Sequence, residues 1–253
     1  MTERALSFGA VAAAYERYRP GYPDELVDEV LSYARRPVRT ALEIGAGTGK
    51  ATRVFAGRGI AVTATDPDPA MLEELRRHVP ETVTVVRGRF EELLPAGRYD
   101  LLFSAAALHW TDAEGRWPRV ASLLEPEGVF ASFGGQHHLA DPDVEAVVRR
   151  VRAPYLEDDE VPSPDGTPEG AAMQWPGTEL ETSALFTDVR ESRIRRRPTL
   201  TADEYVGHLA TVSAYLQLPG RTRDRLLREI HAVLPARVEL DSDLTLHLAR
   251  IAG

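Results

Sequence analysis

The chain has 253 residues, 43% of them hydrophobic, and a formal net charge of −9 at pH 7. That suits one α/β domain with an elaboration, or two small domains, around a substantial core. The acidic balance argues against a broad nucleic-acid or anionic-membrane footprint; the lack of cysteine rules out disulfides and thiolate zinc sites; and no apolar run of about 18 residues marks a membrane span.

Residues 1–37 read as helical. Glu3 and Arg4 interrupt the N-terminus, so no signal peptide is expected and the assigned location is cytoplasmic. Val11, Ala14, Tyr15 and Tyr18 share a helical face, Arg19-Pro20-Gly21-Tyr22-Pro23 breaks it, and Asp24 to Tyr33 resumes it with Leu26, Val27, Val30 and Leu31. Residues 38–135 alternate strands with helices. The strands are Val38–Ile44, Ile60–Thr65, Val83–Val86, Tyr99–Ser104 and Val129–Phe133; the helices are Thr48–Gly57, Pro69–His78 and Ala113–Leu124. Short apolar strands between helices predict βαβ units and a parallel sheet. Right-handed crossovers then bring the strand carboxyl ends to one edge, where a ligand site belongs.

Residues 152–178 carry five prolines and the acidic run Glu157 to Glu160, and read as a long loop, either a lid or an insertion without a role. Strand Val189–Arg195, helices Ala202–Thr211 and Thr222–Val233, and strand Leu244–Ala249 follow. The division expected is therefore 1–37, 38–135 as the core, and 136–253 as lid, acceptor pocket and sheet completion. The fold class is α/β: a Rossmann-like, seven-stranded, mostly parallel sheet with helices on both faces, N-terminal helices and a helical cap over the carboxyl edge.

Chemistry concentrates at that edge. Leu42-Glu43-Ile44-Gly45-Ala46-Gly47-Thr48-Gly49-Lys50 reads as strand, glycine turn and helix start, and Asp66 ends the next strand. Glycines allow positive φ and close approach of a ligand to the backbone, and the helix start aims amides at it. A dinucleotide turn wants Gly-x-Gly-x-x-Gly. Here the third glycine comes one residue early, and Lys50 stands in its place. Asp66 suits the two ribose hydroxyls of an adenosine; its alternative is to cap the helix that starts near Pro69. Phe90 can cover an adenine and Glu91 can accept from its amino group, or they form core and helix start. Ser104, Ala105, Ala106 and Ala107 leave room for a ligand before His109, a candidate base, and Trp110, a candidate pocket wall. His137 and His138 lie near the expected acceptor pocket, and their spacing gives no metal site, so no metal is expected. Arg193, Arg195, Arg196 and Arg197 form a basic cluster with about half its members facing solvent. Tyr205, His208, Thr211 and Tyr215 share approximate helical spacing and face either the pocket or a packing partner.

The form Glu43-x-Gly45-x-Gly47-x-Gly49 followed by Asp66 resembles motif I of the class I S-adenosylmethionine-dependent methyltransferases. The segments Tyr15-x-x-Tyr18-Arg19-Pro20-Gly21-Tyr22-Pro23 and Ala107-Leu108-His109-Trp110 resemble the small-molecule branch, which includes trans-aconitate methyltransferases and many natural-product enzymes. The resemblance implies that Glu43 and the turn of Gly45, Ala46, Gly47, Thr48 and Gly49 hold the methionine moiety. It implies ribose on Asp66, adenine against Pro67, Phe90 and Glu91, and the methionine end beside Ser104 and Ala105. Tyr18 and Arg19 would close over the cofactor, with Arg19 a partner for its carboxylate, and His109 would border it. Many relatives carry Asp where this chain has Arg89, which leaves adenine to Glu91. Trp110, His137 and Tyr215 are the acceptor-pocket candidates.

The function expected is in-line methyl transfer from S-adenosylmethionine to a small molecule, in the setting of specialised metabolism, by a monomer or homodimer that binds neither nucleic acid nor membrane. The competing readings are an NAD(P)-dependent oxidoreductase and a protein that binds S-adenosylmethionine without methylating.

Overall fold

The computed structural model describes residues 8–94, 97–156, 163–168 and 170–252. The acidic run Glu157 to Glu160 lies outside them. The main sheet is built from β1 (Thr40–Ile44), β2 (Ala61–Asp66), β3 (Thr84–Arg87), β4 (Tyr99–Ala105), β5 (Leu124–Gly134), β7 (Phe186–Ile194) and β10 (Leu244–Ile251). A second sheet joins β6 (His138–Leu139), β8 (Thr199–Thr201) and β9 (Arg237–Asp241). The seven-stranded order is β3-β2-β1-β4-β5-β10-β7. The first five strands in that order run parallel, and β10 is antiparallel to both of its neighbours.

The apolar runs explain this sheet. Ala41, Leu42, Leu101, Leu102 and Phe103 are all buried, as expected of central strands covered on both faces. On one face, α2 (Asp24–Tyr33), α3 (Thr52–Ala56) and α4 (Pro69–Arg76) bring Leu26, Val30, Phe55, Leu72 and Leu75 against the sheet. On the other, α5 (Arg116–Leu123) and α7 (Gly177–Thr182) bring Val120, Leu123 and Leu180 against Leu42, Leu102 and Phe130. Phe103 stacks on Phe55 at 4.3 Å between ring centroids and on Phe133 at 6.1 Å, tying β4, β5 and α3 together. At the opposite edge from the glycine turn, Asp100 accepts from the Arg39 and Thr40 amides at 2.8 and 3.0 Å and pairs with Arg36 at 2.7 Å.

A third cluster lies outside the sheet. It joins α6 (Pro142–Arg152), α8 (Ala202–Leu209), α9 (Ser213–Leu216), α10 (Gly220–Val233) and the small sheet through Leu139, Val148, Tyr205, Tyr215, Leu226 and Val238. The N-terminal α1 (Ala12–Tyr18) rests on this cap: the Tyr18 ring lies where a Cβ on Gly207 would stand, 2.6 Å from it.

Several boundaries differ from expectation. The helix expected from Thr48 begins only at Thr52, because Gly49 at φ 84° keeps the chain in the turn. β5 starts at Leu124 rather than Val129, with a register shift opposite Tyr99 and Leu101. The small sheet, α6, α7 and α9 were not expected. Asp141 caps α6, accepting from the Asp143 amide at 2.9 Å, with Pro142 in the first turn. The stretch read as a continuous loop from residue 152 gives way to α7 at Gly177, and Asp165 braces it by accepting from the Thr167 amide at 2.9 Å.

Truncating Phe103 to Ala empties the junction of β4, β5 and α3 on one face of the sheet. The expected cost is about 3–5 kcal/mol of unfolding free energy, read from urea denaturation; a loss below about 1 kcal/mol would show that the ring stack is dispensable.

Candidate functional site

β1 and β2 end side by side, and the turn between β1 and α3 folds over their ends. Gly45, Gly47 and Gly49 take φ values of 67°, 55° and 84°, in the left-handed region. A Cβ on Gly45 would overlap that of Ala107, so this glycine lets the loop after β4 close onto the turn. The Ala46 amide donates to the Thr65 carbonyl at 2.8 Å, and the Gly47 amide to Asp66 Oδ2 at 2.9 Å.

Glu43 lies beneath this turn, 1% exposed. Thr52 Oγ1 donates to its Oε2, while Oε1 is buried with no hydrogen-bond partner. Burial pushes the carboxyl up to about 8; Thr52 opposes the shift and the nearby Asp66 adds to it. Asp66 is pushed up to about 6, again by burial, against the pull of the Asp68 and Gly47 amides. Its Oδ1 accepts from the Asp68 amide at 2.9 Å. The cap of α4 is Asp68, which accepts from Ala70 and Met71. Asp66 is thereby relieved of the capping role that competed with ribose binding.

The cavity above the turn is walled by six segments of the chain. Tyr15 comes from α1, and Arg19, Pro20, Gly21 and Tyr22 from the link between α1 and α2; Glu43, Gly45, Ala46, Gly47, Thr48, Lys50 and Ala51 form the floor. Ala105 ends β4 and Ala106 follows it; Gly134 ends β5, with Gly135 and His137 after it; Arg196 and Leu244 close the far side. Ala106 holds φ 52°, an unusual conformation for a residue with a Cβ, and its amide donates to the Phe133 carbonyl at 2.8 Å.

Two guanidinium groups reach this cavity. Arg19 donates through Nε to Thr211 Oγ1 at 2.9 Å and through an Nη to the Thr211 carbonyl at 3.0 Å, and lies over the Tyr15 ring. Arg196 donates to the Gly21 carbonyl at 2.8 Å. His137 Nδ1 lies 2.8 Å from Ser242 Oγ, and its ring meets that of His208 edge-on at 4.9 Å. Burial first, then Arg19, Arg196 and His138, pushes His137 down to about 4, so the ring is neutral at pH 7. Burial pushes His208 down as well, with Arg19 and His137 adding to it. Lys50 Nζ donates to the Glu16 carbonyl at 2.6 Å, and Arg53 pairs with the Glu16 carboxylate at 2.6 Å, which pins α1 to the turn.

Of the residues named from sequence, Arg19, Glu43, Gly45, Ala46, Gly47, Thr48, Ala105 and His137 line the cavity. Asp66 stands one hydrogen bond away, on the Gly47 amide, and the Pro67 carbonyl accepts from Arg87 at 3.3 Å. The others lie elsewhere. Gly49 packs on Leu75 and Val79 of the α4 side, and Tyr18 on Gly207. Phe90 is buried with Leu42 and Ile44; Glu91 accepts from the Asp112 amide at 2.7 Å; Ser104 donates to the Ile44 carbonyl at 3.2 Å. His109 and Trp110 sit in a short 3-10 turn with rings 4.4 Å apart, and Trp110 meets Phe8, which meets Tyr15. Tyr215 is fully buried in the core of the cap. Ala106, expected with its neighbours to leave room for a ligand, lines the cavity too, whereas Tyr15, Tyr22, Lys50, Gly134, Gly135, Arg196 and Leu244 have no pocket role in the sequence reading. The flanking glycines at 134 and 135 are the one signal for their group: a Cβ on Gly135 would collide with the Asp243 carbonyl. Among the described residues, no helix is long and apolar enough to cross a membrane.

Residues 42–132 match the methyltransferase domain family. An uncharacterized methyltransferase of Mycobacterium tuberculosis is 44% identical over 127 residues, covering 50% of this chain and 51% of that protein. A trans-aconitate 2-methyltransferase of Escherichia coli is 31% identical over 121 residues, covering 47% and 46%. The chain spans about half the length of the curated relatives it matches. A solved candidate type II methyltransferase from Anaeromyxobacter dehalogenans superposes with a TM-score of 0.62 at 26% identity, over 93% of this chain and 97% of that one.

The raised Glu43 carboxyl has a stability consequence. An unfolded glutamic acid loses its proton near 4.5, whereas the folded one keeps it to about 8. Rising pH through that window therefore favours the unfolded chain and lowers stability. Calorimetric melting of the ligand-free protein should show this decline, and Glu43→Gln should flatten it. An equal slope in both proteins would place Glu43 in a wetter site than the structure does.

Proposed function

We propose that this chain, whose residues 42–132 form a methyltransferase domain on the class I S-adenosylmethionine-dependent fold, transfers the methyl group of S-adenosylmethionine to a small-molecule acceptor. The observation that carries the reading is the buried, half-satisfied Glu43 carboxyl beneath a turn of three left-handed glycines. A buried oxygen without a donor is costly and asks for one. An α-ammonium group is such a donor, and its charge would draw the proton off Glu43.

The remaining roles follow the resemblance. Asp66 would accept from ribose hydroxyls with the lone pairs that the Gly47 and Asp68 amides leave free. Arg19 would face the cofactor carboxylate, the glycine turn would lie along the methionine moiety, and Pro67, Phe90 and Glu91 would border adenine. When bound, S-adenosylmethionine supplies a methyl group already activated on a sulfonium. What the protein adds is alignment and exclusion of water, and alignment alone can supply roughly 7–11 kcal/mol. Arg19 clasped to Thr211 closes the N-terminal helices against the cap, and so keeps water out of the cavity. A carboxylate acceptor needs no base. For a phenol or an amine, His109 would have to reach the cavity from the turn beside it.

The E. coli relative's name gives trans-aconitate as its acceptor, which supports a small molecule here. Specialised metabolism, cytoplasmic residence and a monomeric or homodimeric state belong to the same proposal. Against an NAD(P)-dependent oxidoreductase stands Lys50, held by Glu16 at the position where a dinucleotide turn wants glycine.

Calorimetric titration with S-adenosylmethionine, S-adenosylhomocysteine, NAD and NADP tests the reading. Binding of the first two alone is expected; binding of a nicotinamide cofactor instead overturns it. Asp66→Ala should weaken S-adenosylhomocysteine roughly tenfold or more, as expected for hydrogen bonds to a charged group, at unchanged circular dichroism. Unchanged affinity would remove Asp66 from the ribose. Release of S-adenosylhomocysteine with an acceptor separates an enzyme from a protein that only binds the cofactor.

A further inference from the structure

We propose that Arg196 anchors a carboxylate of the methyl acceptor, which makes the acceptor an organic acid. The inference rests on the methyl-transfer reading and names the substrate class of that same cavity.

Arg193, Arg195 and Arg197 are exposed, and Arg197 pairs with Glu239 and Asp241 at 3.4 and 3.0 Å. Arg196 is different. β7 ends at Ile194, and the backbone beyond it is fixed by the turn before β10: the Arg196 amide donates to Asp243 Oδ1 at 3.0 Å, and the Ser242 amide donates to the Arg196 carbonyl at 3.0 Å. Held in this way, the half-buried Arg196 side chain lines the cavity beside Gly135 and His137.

Its charge has no acidic partner. Among the described residues, the one hydrogen bond of its guanidinium goes to the Gly21 carbonyl. Arg19 is in the same condition, with both of its bonds on Thr211. Glu43 is the carboxyl that lines the cavity, and burial keeps its proton on at pH 7. Of the three cations on the lining, Lys50 is paired with Glu16, and the two guanidinium groups of Arg19 and Arg196 are left without an acidic partner among the described residues. Partly desolvated charge without a counter-charge is expensive, and such a site gains most from an anionic ligand.

The cofactor can satisfy one of the two. It carries a single carboxylate, assigned to Arg19, and it brings two further positive charges in its ammonium and sulfonium. With Glu43 ionised against the ammonium and Arg19 against the carboxylate, the sulfonium and Arg196 are left without a counter-charge, and Arg196 remains for the other ligand. Among the described residues its Nε and second Nη have no partner, and such a pair of donors takes a carboxylate through two parallel hydrogen bonds. His137 stands beside it. With Nδ1 on Ser242 Oγ, Nε2 is the ring's remaining polar atom, and Ser242 ties both residues to one turn.

A strut for Gly21 is the competing role for Arg196, and the test separates the two. The full chain, loaded with S-adenosylhomocysteine, is titrated calorimetrically with succinate and phenylacetate, with their neutral amides, and with inorganic phosphate, as native protein, Arg196→Ala and Arg196→Lys. At least one acid should bind, its amide at least about tenfold more weakly, as loss of a charge-assisted pair requires. Arg196→Ala should weaken the acid by a similar factor while leaving S-adenosylhomocysteine within about threefold, and Arg196→Lys should recover part of the loss. Failure of both acids to bind, equal binding of acid and amide, or an Arg196→Ala protein that binds the acid normally overturns the proposal. So does a parallel loss of S-adenosylhomocysteine, which would mark a strut, or phosphate binding tighter than either acid, which would mark a phosphorylated acceptor. Failure of S-adenosylhomocysteine to bind the native protein instead brings down the methyl-transfer reading.

Discussion

A carboxyl group withdrawn from water at the end of β1 governs how this site is assembled. Glu43 can be buried there because Thr52 meets one of its oxygens and a proton meets its charge. The second oxygen is buried without a hydrogen-bond partner among the described residues, in a side chain that lines the cavity. Small residues make up much of the lining: glycines of the left-handed turn, Ala105 and Ala106 at the end of β4, and Gly134 and Gly135 at the end of β5. A ligand that brought a positive charge to Glu43 would take over the work of that proton, and its entry would be linked to proton release.

The cavity walls are joined by reciprocal clasps between distant parts of the chain. Arg19 of the N-terminal segment reaches Thr211 of the cap, and Arg196 of the C-terminal part reaches Gly21 of the N-terminal segment. Each clasp uses a guanidinium that also faces the cavity. A ligand that draws either guanidinium toward itself therefore acts on the closure of the site as well as on its charge. The Glu16 cluster with Lys50 and Arg53 fixes the same segment at its other end, directly on the glycine turn.

The parallel core was legible because its signals are local. Continuous apolar runs, alternating with helices, specify strands buried on both faces, and the glycine spacing specifies the turn. Asp66 was ambiguous from sequence, since an acid two residues before Asp68 competes for the same cap; Asp68 takes that role and frees Asp66. The small sheet was not legible, because strands of two and three residues are too short for alternation to show. α6 carries a readable start in Asp141-Pro142 and a stripe of Val144, Val147, Val148 and Val151 at helical spacing. Arg196 was hidden for another reason. Strand periodicity ends at Ile194, and what turns Arg196 inward is a hydrogen bond to Asp243, far along the chain.

The place of β10 has a consequence for how the chain comes to be made. It is synthesised after both of its neighbours, yet it lies between them, pairing with β5 along Val129–Gly134 and with β7 along Phe186–Ile194. A nascent chain still lacking residues 244–251 has β5 with an open side and β7 with no strand beside it. Exposed strand edges of that kind invite pairing with other chains. The glycine turn and its strands can form early on the ribosome, but the sheet stays unsealed until its last strand emerges and slides into the gap.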